Sequence, residues 1–373
     1  MKKKLLIATD NFLPRWDGIS RFLLEIIPHL KDDFDITVLA PKFKGKFKKP
    51  AGIDVVRFDT FNIQLGDFYP AKPSIKKIKE YIAETDIVWT QGLGPIGALS
   101  IIYGKKLGKK VVSYVHSIEW ELFSKSIRFF KSLVHYMTEI FAKMLYNKSS
   151  LILAPSLEVK EILNWIGVKT KIKVVHLGID TSVFKPADNK KEAKKKIGVG
   201  PETKVIGFSG RIAREKDLMT LYRAFLKLER DYKDVILLIV GEGLENLKKI
   251  FDIKPNIKAV GAVDNVVPYL QAMDIFVLPS LTETSSLATM EAMACETAIV
   301  TTKVGYVKRY IKDKFNGVFF PKKNDLVLSL KLKWLFDNEY PRNMMAKNAR
   351  KTIVDNYQWH KTVEKIKSIL ISV

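Results

Sequence analysis

Short runs of apolar, mostly β-branched residues alternate with helical patterns along almost the whole chain, and this alternation limits the possible folds most. KKLLIATD is followed by GISRFLLEIIPHL and IVWTQG by IGALSIIYGKKLG, and in the second half KVIGFSG precedes DLMTLYRAFLKLER. Strands that are apolar on both faces belong to parallel sheets covered by helices on both sides. The pattern therefore predicts an α/β protein built on parallel sheets.

The alternation occurs in two successive sets, which predicts two domains. A chain of 373 residues is also longer than one typical domain. A polar, lysine-rich segment separates the sets, and we place the boundary there, between residues 183 and 184. The first domain then covers residues 1–183 and the second 184–355, with a last helical segment over 356–373.

Two glutamates flank the start of a predicted helix that follows the strand DIFVLPS, namely Glu283 and Glu291. Ligands of open parallel sheets bind beyond the carboxyl ends of the strands. The N–H groups at a helix start attract anions, and carboxylates accept hydrogen bonds from sugar hydroxyls. The pattern indicates a site for a sugar and an anion, and the alternative is an amphipathic helix with two solvated glutamates.

A second pair of charged residues, Arg211 and Lys216, lies in the loop after the strand VIGF, within SGRIAREK. Both can reach one diphosphate, since Arg binds phosphate bidentately and Lys acts as a point charge. Fixed cations there would stabilise the charge that develops as a nucleoside diphosphate departs. The alternative is two solvated cations on a loop.

Two residues of the first domain also follow predicted strands. Gly18 follows the first strand, where a glycine lets the backbone approach a phosphate closely; a plain turn before a helix is the alternative. His116 ends the strand VVSYV, where it can donate to a sugar or polarise a leaving group near neutral pH; a structural histidine is the alternative.

The order and spacing of these motifs resemble the retaining glycosyltransferases of the GT-B fold, in the group related to glycosyltransferase family 4 and the glycosyl transferases group 1. The matching patterns are P-S-x-x-E-x7-E-A-M-A at 279–294, G-R-x4-K at 210–216 and GAVD at 261–264. The resemblance covers nearly the whole chain. It implies two Rossmann-like domains facing a central cleft, with the segment 356–373 packing back on the first domain.

The resemblance also assigns roles to residues. Catalytic roles fall to His116, Arg211, Lys216 and Glu283. Binding of the nucleotide sugar falls to Gly18, Gly210, Arg211, Lys216, Val263, Asp264, Glu283, Ser285, Ser286, Leu287 and Glu291. Glu283 would hold the hexose, Glu291 the ribose and the loop at Val263 the base. Asp264 would favour GDP slightly over UDP, unless it caps the next helix instead.

The implied activity is transfer of a mannose- or glucose-type hexose, with retention, from a GDP- or UDP-sugar to a lipid-linked or glycan acceptor. No metal ion and no further cofactor are implied. Asp33-Phe34-Asp35 spells the D-x-D that binds divalent ions in other glycosyltransferases, but we interpret it as a turn at the amino end of a strand. The alternatives are a UDP-GlcNAc 2-epimerase-like enzyme of the same fold and a non-catalytic nucleotide-sugar-binding protein.

Three positions depart from the family pattern. Thr284-Ser285-Ser286 stands where Gly-Phe-Gly is usual, and the residues 305–309 read Gly-Tyr-Val-Lys-Arg where Gly-Gly-x-Pro-Glu is common. Glu296 replaces the glycine after the helix, and its Cβ would strain a left-handed helix end. These departures bear on the identity of the substrates more than on the reaction class.

Charge and composition bear on partners and compartment. The formal net charge of +23 suits an anionic partner: a phosphate-bearing substrate, a membrane surface or a nucleic acid. No nucleic-acid-binding signature accompanies it, so nucleic acid is a minor option. The alternative is a solvated surface over which lysines are scattered. Basic and aromatic residues interleave over 41–50 and 120–148, and the second stretch has helical spacing. It would lie on an anionic membrane or cover the first domain's sheet. A single cysteine, Cys295, makes the cytoplasm the expected compartment.

Overall fold

The computed structural model describes residues 2–15, 17–45, 49–62, 69–121, 130–251 and 254–373. The chain divides into two compact units, one of residues 1–176 with 363–373 and the other of residues 177–362. The boundary therefore precedes the one placed at 183 and 184 from the sequence. Ile179 and Phe184 pack in the core of the second unit, and the backbone of Ile179 exchanges hydrogen bonds with Tyr357 and Trp359.

The first unit contains a parallel sheet with the strand order β3-β2-β1-β4-β5-β6-β7. Its strands are β1 (Lys3–Ala8), β2 (Phe34–Pro41), β3 (Asp54–Phe58), β4 (Ile87–Thr90), β5 (Lys110–Tyr114), β6 (Leu151–Ala154) and β7 (Ile172–Val174). Its helices are α1 (Gly18–Leu30), α2 (Ile75–Ala83), α3 (Pro95–Lys106), α4 (Lys131–Tyr146) and α5 (Leu157–Trp165). The segment 122–129 of the predicted long helix lies outside the described residues, as do 46–48 of the basic stretch.

The second unit contains a parallel sheet with the strand order β10-β9-β8-β11-β12-β13. Its strands are β8 (Lys204–Ser209), β9 (Val235–Val240), β10 (Ile257–Gly261), β11 (Ile275–Leu278), β12 (Ala298–Thr302) and β13 (Val318–Phe320). Its helices are α6 (Lys190–Lys196), α7 (Leu218–Leu228), α8 (Glu245–Phe251), α9 (Val267–Ala272), α10 (Leu287–Ala294), α11 (Val307–Tyr310), α12 (Asp325–Asp337) and α13 (Glu339–Asn356). The last helix, α14 (Trp359–Ser372), begins in this unit and ends in the first.

The prediction of two parallel, Rossmann-like sheets is confirmed. Strands β4, β6 and β11 are buried at every position, as expected for strands inside a parallel sheet. In each sheet the strand order reverses once, between β1 and β4 in the first and between β8 and β11 in the second. Ligands of such sheets bind at this reversal, beyond the carboxyl ends of the strands.

The D-x-D triplet lies at the amino end of β2, away from the carboxyl ends of the strands where ligands bind. Asp33 occupies the turn before β2, and its carboxylate pairs with Lys367 Nζ of α14 at 2.6 Å. The placement agrees with the interpretation of this triplet as a turn at the amino end of a strand. Within the described ranges, no helix combines the length and the hydropathy needed to cross a bilayer.

The chain after α10 turns through the left-handed region at Glu296, which has a φ of +58°. Glycine adopts this conformation without the steric cost of a Cβ. We therefore expect Glu296→Gly to stabilise the protein by about 1 kcal/mol, measured as a higher midpoint of denaturant unfolding. Glu296→Ala is the matched control because it keeps the Cβ, and an equal gain from alanine would contradict the explanation.

Candidate functional site

The two charged motifs of the second unit meet because their strands are neighbours in the sheet. The loop that carries Arg211 and Lys216 follows β8, and the loop that carries Glu283 follows β11. The backbone N–H of Leu281 donates to the carbonyl of Glu215 at 2.8 Å and joins the two loops. The site therefore lies at the point where the strand order reverses.

Lys216 and Glu283 form the centre of this site. Lys216 Nζ lies 2.5 Å from Glu283 Oε1, and the Ser280 hydroxyl donates to the same oxygen at 2.7 Å. Their side chains are only 19% and 8% exposed, so the alternative of solvated side chains does not hold for this pair. A lysine has three donors and can keep a carboxylate partner while it contacts a phosphate.

Arg211 lies at the edge of the same site. Its backbone follows Gly210, whose φ of +141° is rarely adopted by a residue with a side chain. The guanidinium pairs with the carboxylate of Glu215 and is 37% exposed, so solvent and ligands reach it. This acidic partner, which precedes Lys216 in the chain, was not identified from the sequence.

The segment 284–286, where the chain departs from the family pattern, accepts hydrogen bonds from residues that follow β12. The Tyr306 N–H donates to the carbonyl of Thr284 at 2.8 Å, and the Tyr310 hydroxyl donates to the carbonyl of Ser285 at 2.9 Å. The Ser285 hydroxyl is buried and has no hydrogen-bond partner among the described residues.

Gly305 lies in the loop after β12, where the backbone passes close to Glu283. Its φ is +44°, and a Cβ there would lie 1.9 Å from the carbonyl oxygen of Glu283. No side chain fits in that space, which accounts physically for a glycine after β12. Arg309 lies on α11, at the position where an acidic residue is common in the family.

Helix α10 presents its N-terminus without a side-chain cap. Ser286 occupies the capping position with a φ of +54°, and its hydroxyl is hydrogen-bonded to the Thr289 hydroxyl at 2.9 Å instead. The first backbone N–H groups, which include that of Leu287, therefore keep no side-chain acceptor. Glu291 lies about one turn into the helix and is 2% exposed, so it is not a solvated surface residue.

Val263 and Asp264 lie in the loop between β10 and α9. Val263 is half-buried against the core of the unit, and Asp264 is exposed. The alternative of a capping aspartate does not hold, because Val266 occupies the N-cap position and Asn265 accepts from the Val267 N–H at 3.0 Å.

In the first unit, polar residues follow the neighbouring strands β1, β4 and β5: Asp10, Gln91 and His116. His116 Nε2 lies 2.8 Å from Gln91 Oε1, which accepts the Nε2 proton. Burial lowers the pKa of His116 to about 3, so the ring is neutral at physiological pH. With its proton on Nε2, His116 offers Nδ1 as an acceptor, and its contact with the sugar stays a prediction.

We expect the His116 ring to stay neutral from about pH 8 to about pH 5, because burial opposes its charged form. The chain has five histidines, so NMR of a protein with labelled histidine side chains resolves them, and the spectrum of His116→Gln assigns the signal. A His116 resonance that titrated with a pKa near the ordinary value of 6.5 would contradict the buried environment.

Gly18 is the first residue of α1, and the preceding Asp17 caps the helix by accepting from the N–H groups of Ile19 and Ser20. A Cβ at Gly18 would meet no heavy atom within 4 Å, so the fold itself does not require glycine here. The space beside Gly18 leaves room for a ligand, and the predicted phosphate contact stays a prediction, because the Asp17 carboxylate already accepts from two N–H groups of this helix start.

We expect Gly18→Ala to leave thermal unfolding unchanged and to lower kcat/KM for the nucleotide sugar about tenfold or more, since the added methyl would displace the phosphate. Steady-state kinetics and a melting curve on the same preparation measure both effects. Unchanged kinetics would remove Gly18 from the site.

Two carboxyls of the first unit with raised pKa values were not identified from the sequence. Asp10 accepts from the N–H groups of Ile96 and Gly97 at the start of α3, each at 3.0 Å, and burial raises its pKa to about 6. Glu119 accepts from the Tyr146 hydroxyl at 3.1 Å, and burial raises its pKa to about 7. For Asp10 a signal existed, because it stands directly beyond a buried strand.

Metal ligands do not cluster in the part of the chain that the structure describes. No group of three or more histidine, cysteine, aspartate and glutamate side chains there is arranged to hold a metal ion.

The fold and the site define a glycosyltransferase of the GT-B class. Two family models match the chain, Glycosyltransferase Family 4 over residues 16–183 and Glycosyl transferases group 1 over residues 189–352. The chain belongs to this family of glycosyltransferases, which use nucleotide-sugar donors.

Similar proteins and solved structures match this chain over nearly its full length. An uncharacterized glycosyltransferase of Methanocaldococcus jannaschii is 26% identical over 99% of this chain and 98% of its own. UDP-Gal:alpha-D-GlcNAc-diphosphoundecaprenol alpha-1,3-galactosyltransferase of Escherichia coli is 27% identical over 99% and 97%. The crystal structure of Anabaena HepE in complex with UDP and glucose superposes with a TM-score of 0.78 at 17% identity and covers 100% of both chains.

Proposed function

We propose that this protein is a retaining hexosyltransferase. It would move a mannose- or glucose-type hexose from a GDP- or UDP-sugar to a lipid-linked or glycan acceptor. The observation that carries the proposal is the contact of Lys216 with Glu283 at the junction of β8 and β11. A cation for the diphosphate and a carboxylate for sugar hydroxyls stand side by side where such sheets bind ligands.

The site residues support a division of roles. Arg211 and Lys216 would neutralise the diphosphate as it leaves, which lowers the barrier to departure. Glu283, with the amides of Ser285 to Leu287, would hold the hexose, and Glu291 the ribose. His116, Gly18 and Gly210 would contact the sugar or the phosphates, and the loop at Val263 and Asp264 the base.

The reaction would break the bond between the anomeric carbon and the diphosphate and form a bond from that carbon to an acceptor oxygen on the same face. The acceptor's proton would pass to an oxygen of the departing phosphate. The two cations would supply the positive charge that a divalent ion supplies elsewhere, so we propose that no metal is required.

The Escherichia coli relative is named for a lipid-diphosphate acceptor, which supports an acceptor of lipid-linked type here. The net charge of +23 supports an anionic acceptor or surface. The proposed location is the cytoplasmic side of the membrane, with peripheral attachment.

The test is a thermal-shift screen over UDP- and GDP-sugars with EDTA present, followed by a transfer assay with lipid and sugar acceptors. We expect one nucleotide sugar to raise the melting temperature and to donate its hexose with retained anomeric configuration, read by NMR of the product. Conversion of UDP-GlcNAc without acceptor would indicate the epimerase. Binding without any turnover would indicate a binding protein.

A further inference from the structure

Helix α4 of the first unit exposes a continuous row of large apolar side chains. Phe130 immediately before the helix and Leu133, Met137, Phe141 and Met144 within it recur every three or four residues, so they share one side. Their exposed fractions run from 46% to 77%, and Tyr136 beside them is 60% exposed. These six residues are called the α4 face below. The buried residues of the helix, Ala142, Leu145 and Tyr146, lie on another side.

Two further aromatic residues of this unit are strongly exposed, one before α4 and one at the end of α5. Phe130 is 77% exposed at the start, and Trp165 at the end of α5 is 83% exposed. The turn after Trp165 lies against the end of α4, because Asn147 Nδ2 donates to the Gly167 carbonyl at 3.3 Å. The 16 residues of α4 give the apolar row a length on the order of 24 Å. Tryptophan is characteristic of membrane–water interfaces.

The charges around the α4 face are mainly positive. Lys131 and Lys143 are exposed on the helix, and Lys148 and Lys169 are exposed beside its end. The acidic residue of α4, Glu139, lies 3.5 Å from His135. In a symmetric contact with a second copy, these lysines would meet lysines, whereas an anionic surface complements them.

We propose that the α4 face is a docking surface for an anionic lipid bilayer, with the helix lying in the interface and its lysines on lipid headgroups. The proposal extends the lipid-acceptor function above and rests on it for its biological purpose. Exposed apolar side chains enter the acyl boundary, and the lysines above them meet phosphates. Attachment requires both contributions, so salt and neutral lipid weaken it.

Flotation with vesicles tests this directly, using phosphatidylcholine alone or with about one-third phosphatidylglycerol. We expect the full chain to float with the anionic vesicles and at least tenfold less with the neutral ones. The variant L133Q/M137Q/F141Q should lose at least tenfold of this binding. The variant K131Q/K143Q should bind anionic vesicles about fivefold more weakly for each lysine removed, and its binding to neutral vesicles should not change.

The matched control is L326Q/L330Q, which removes two leucines that are 59% and 57% exposed on α12 of the second unit and should float like the parent chain. Flotation of the triple variant like the parent chain, or no flotation of the parent chain, overturns the proposal. If the parent chain is a dimer that does not bind vesicles and the triple variant is a monomer, the proposal is overturned in favour of a protein–protein interface. A melting-temperature shift with nucleotide sugar, measured without vesicles, reports separately on the proposed function.

Discussion

Replacing Lys216 with methionine should lower the rate of hexose transfer by about 10²- to 10³-fold, the effect of removing one fixed positive group from a developing anion. Methionine keeps most of the side chain's bulk and removes its charge. Because the loss acts on the departing diphosphate, kcat should fall more than the affinity for the sugar donor. Steady-state kinetics with the nucleotide sugar found in the screen measure both quantities.

Arg214→Met is the matched control. Arg214 belongs to the same short 3-10 helix as Lys216, and its side chain is exposed. Removal of this charge changes the net charge equally without touching Glu283, so transfer should stay within about twofold of the parent rate. Equal losses in the two variants would mean that only the general positive potential matters. A folded Lys216→Met with parent activity would reject the proposed site.

The two glutamates should separate sugar recognition from nucleotide recognition. Glu283→Gln should weaken binding of the nucleotide sugar about 10- to 100-fold, the worth of a hydrogen bond to a charged group, and leave binding of the free nucleoside diphosphate nearly unchanged. Glu291→Gln should weaken binding of both ligands by similar factors, because the ribose is present in each. Calorimetric titration of each variant with UDP, GDP and the sugar donor measures these affinities.

Each glutamine variant controls for the other, since both lose one negative charge in the same segment. In Glu283→Gln the Ser280 hydroxyl can still donate to the side-chain oxygen of the new amide, so the loop should keep its position. The melting temperature of each ligand-free variant checks this point. Loss of free-nucleotide binding in Glu283→Gln, or its retention in Glu291→Gln, would contradict the assigned roles.

The sheets could be predicted from the sequence because their inner strands are largely apolar and buried on both faces, as β4, β6 and β11 are at every position. The order of elements at β11, its loop and α10 could be predicted, because a continuous apolar strand leads through polar residues into an apolar helix. Glu296 stands where the family usually has glycine, and the structure contains the left-handed turn there, with a φ of +58°.

The contact of Lys216 with Glu283 could not be predicted from spacing alone. The two residues are far apart in the chain, and they meet because β11 pairs with β8 rather than with the preceding β10. Strand order depends on how helices pack across both faces, which local patterns do not encode. The resemblance placed both residues in one site, and the strand order supplies the physical reason.

The neutral state of His116 was also outside the reach of local patterns. A histidine at a strand end predicts access to a ligand, but its pKa depends on burial and on Gln91, which follows a different strand. The domain boundary differed because Ile179 and Phe184 pack in the second unit's core, a tertiary contact inside a segment that looks like a linker.

Calorimetric titration of the parent chain and Lys216→Met with UDP-glucose and GDP-mannose in EDTA tests the proposed donor site. We expect saturable binding of at least one sugar donor by the parent chain, with a Kd between about 1 μM and 1 mM, and binding at least tenfold weaker in the variant. No saturable binding of either nucleotide sugar, or equal binding by both proteins, would contradict it.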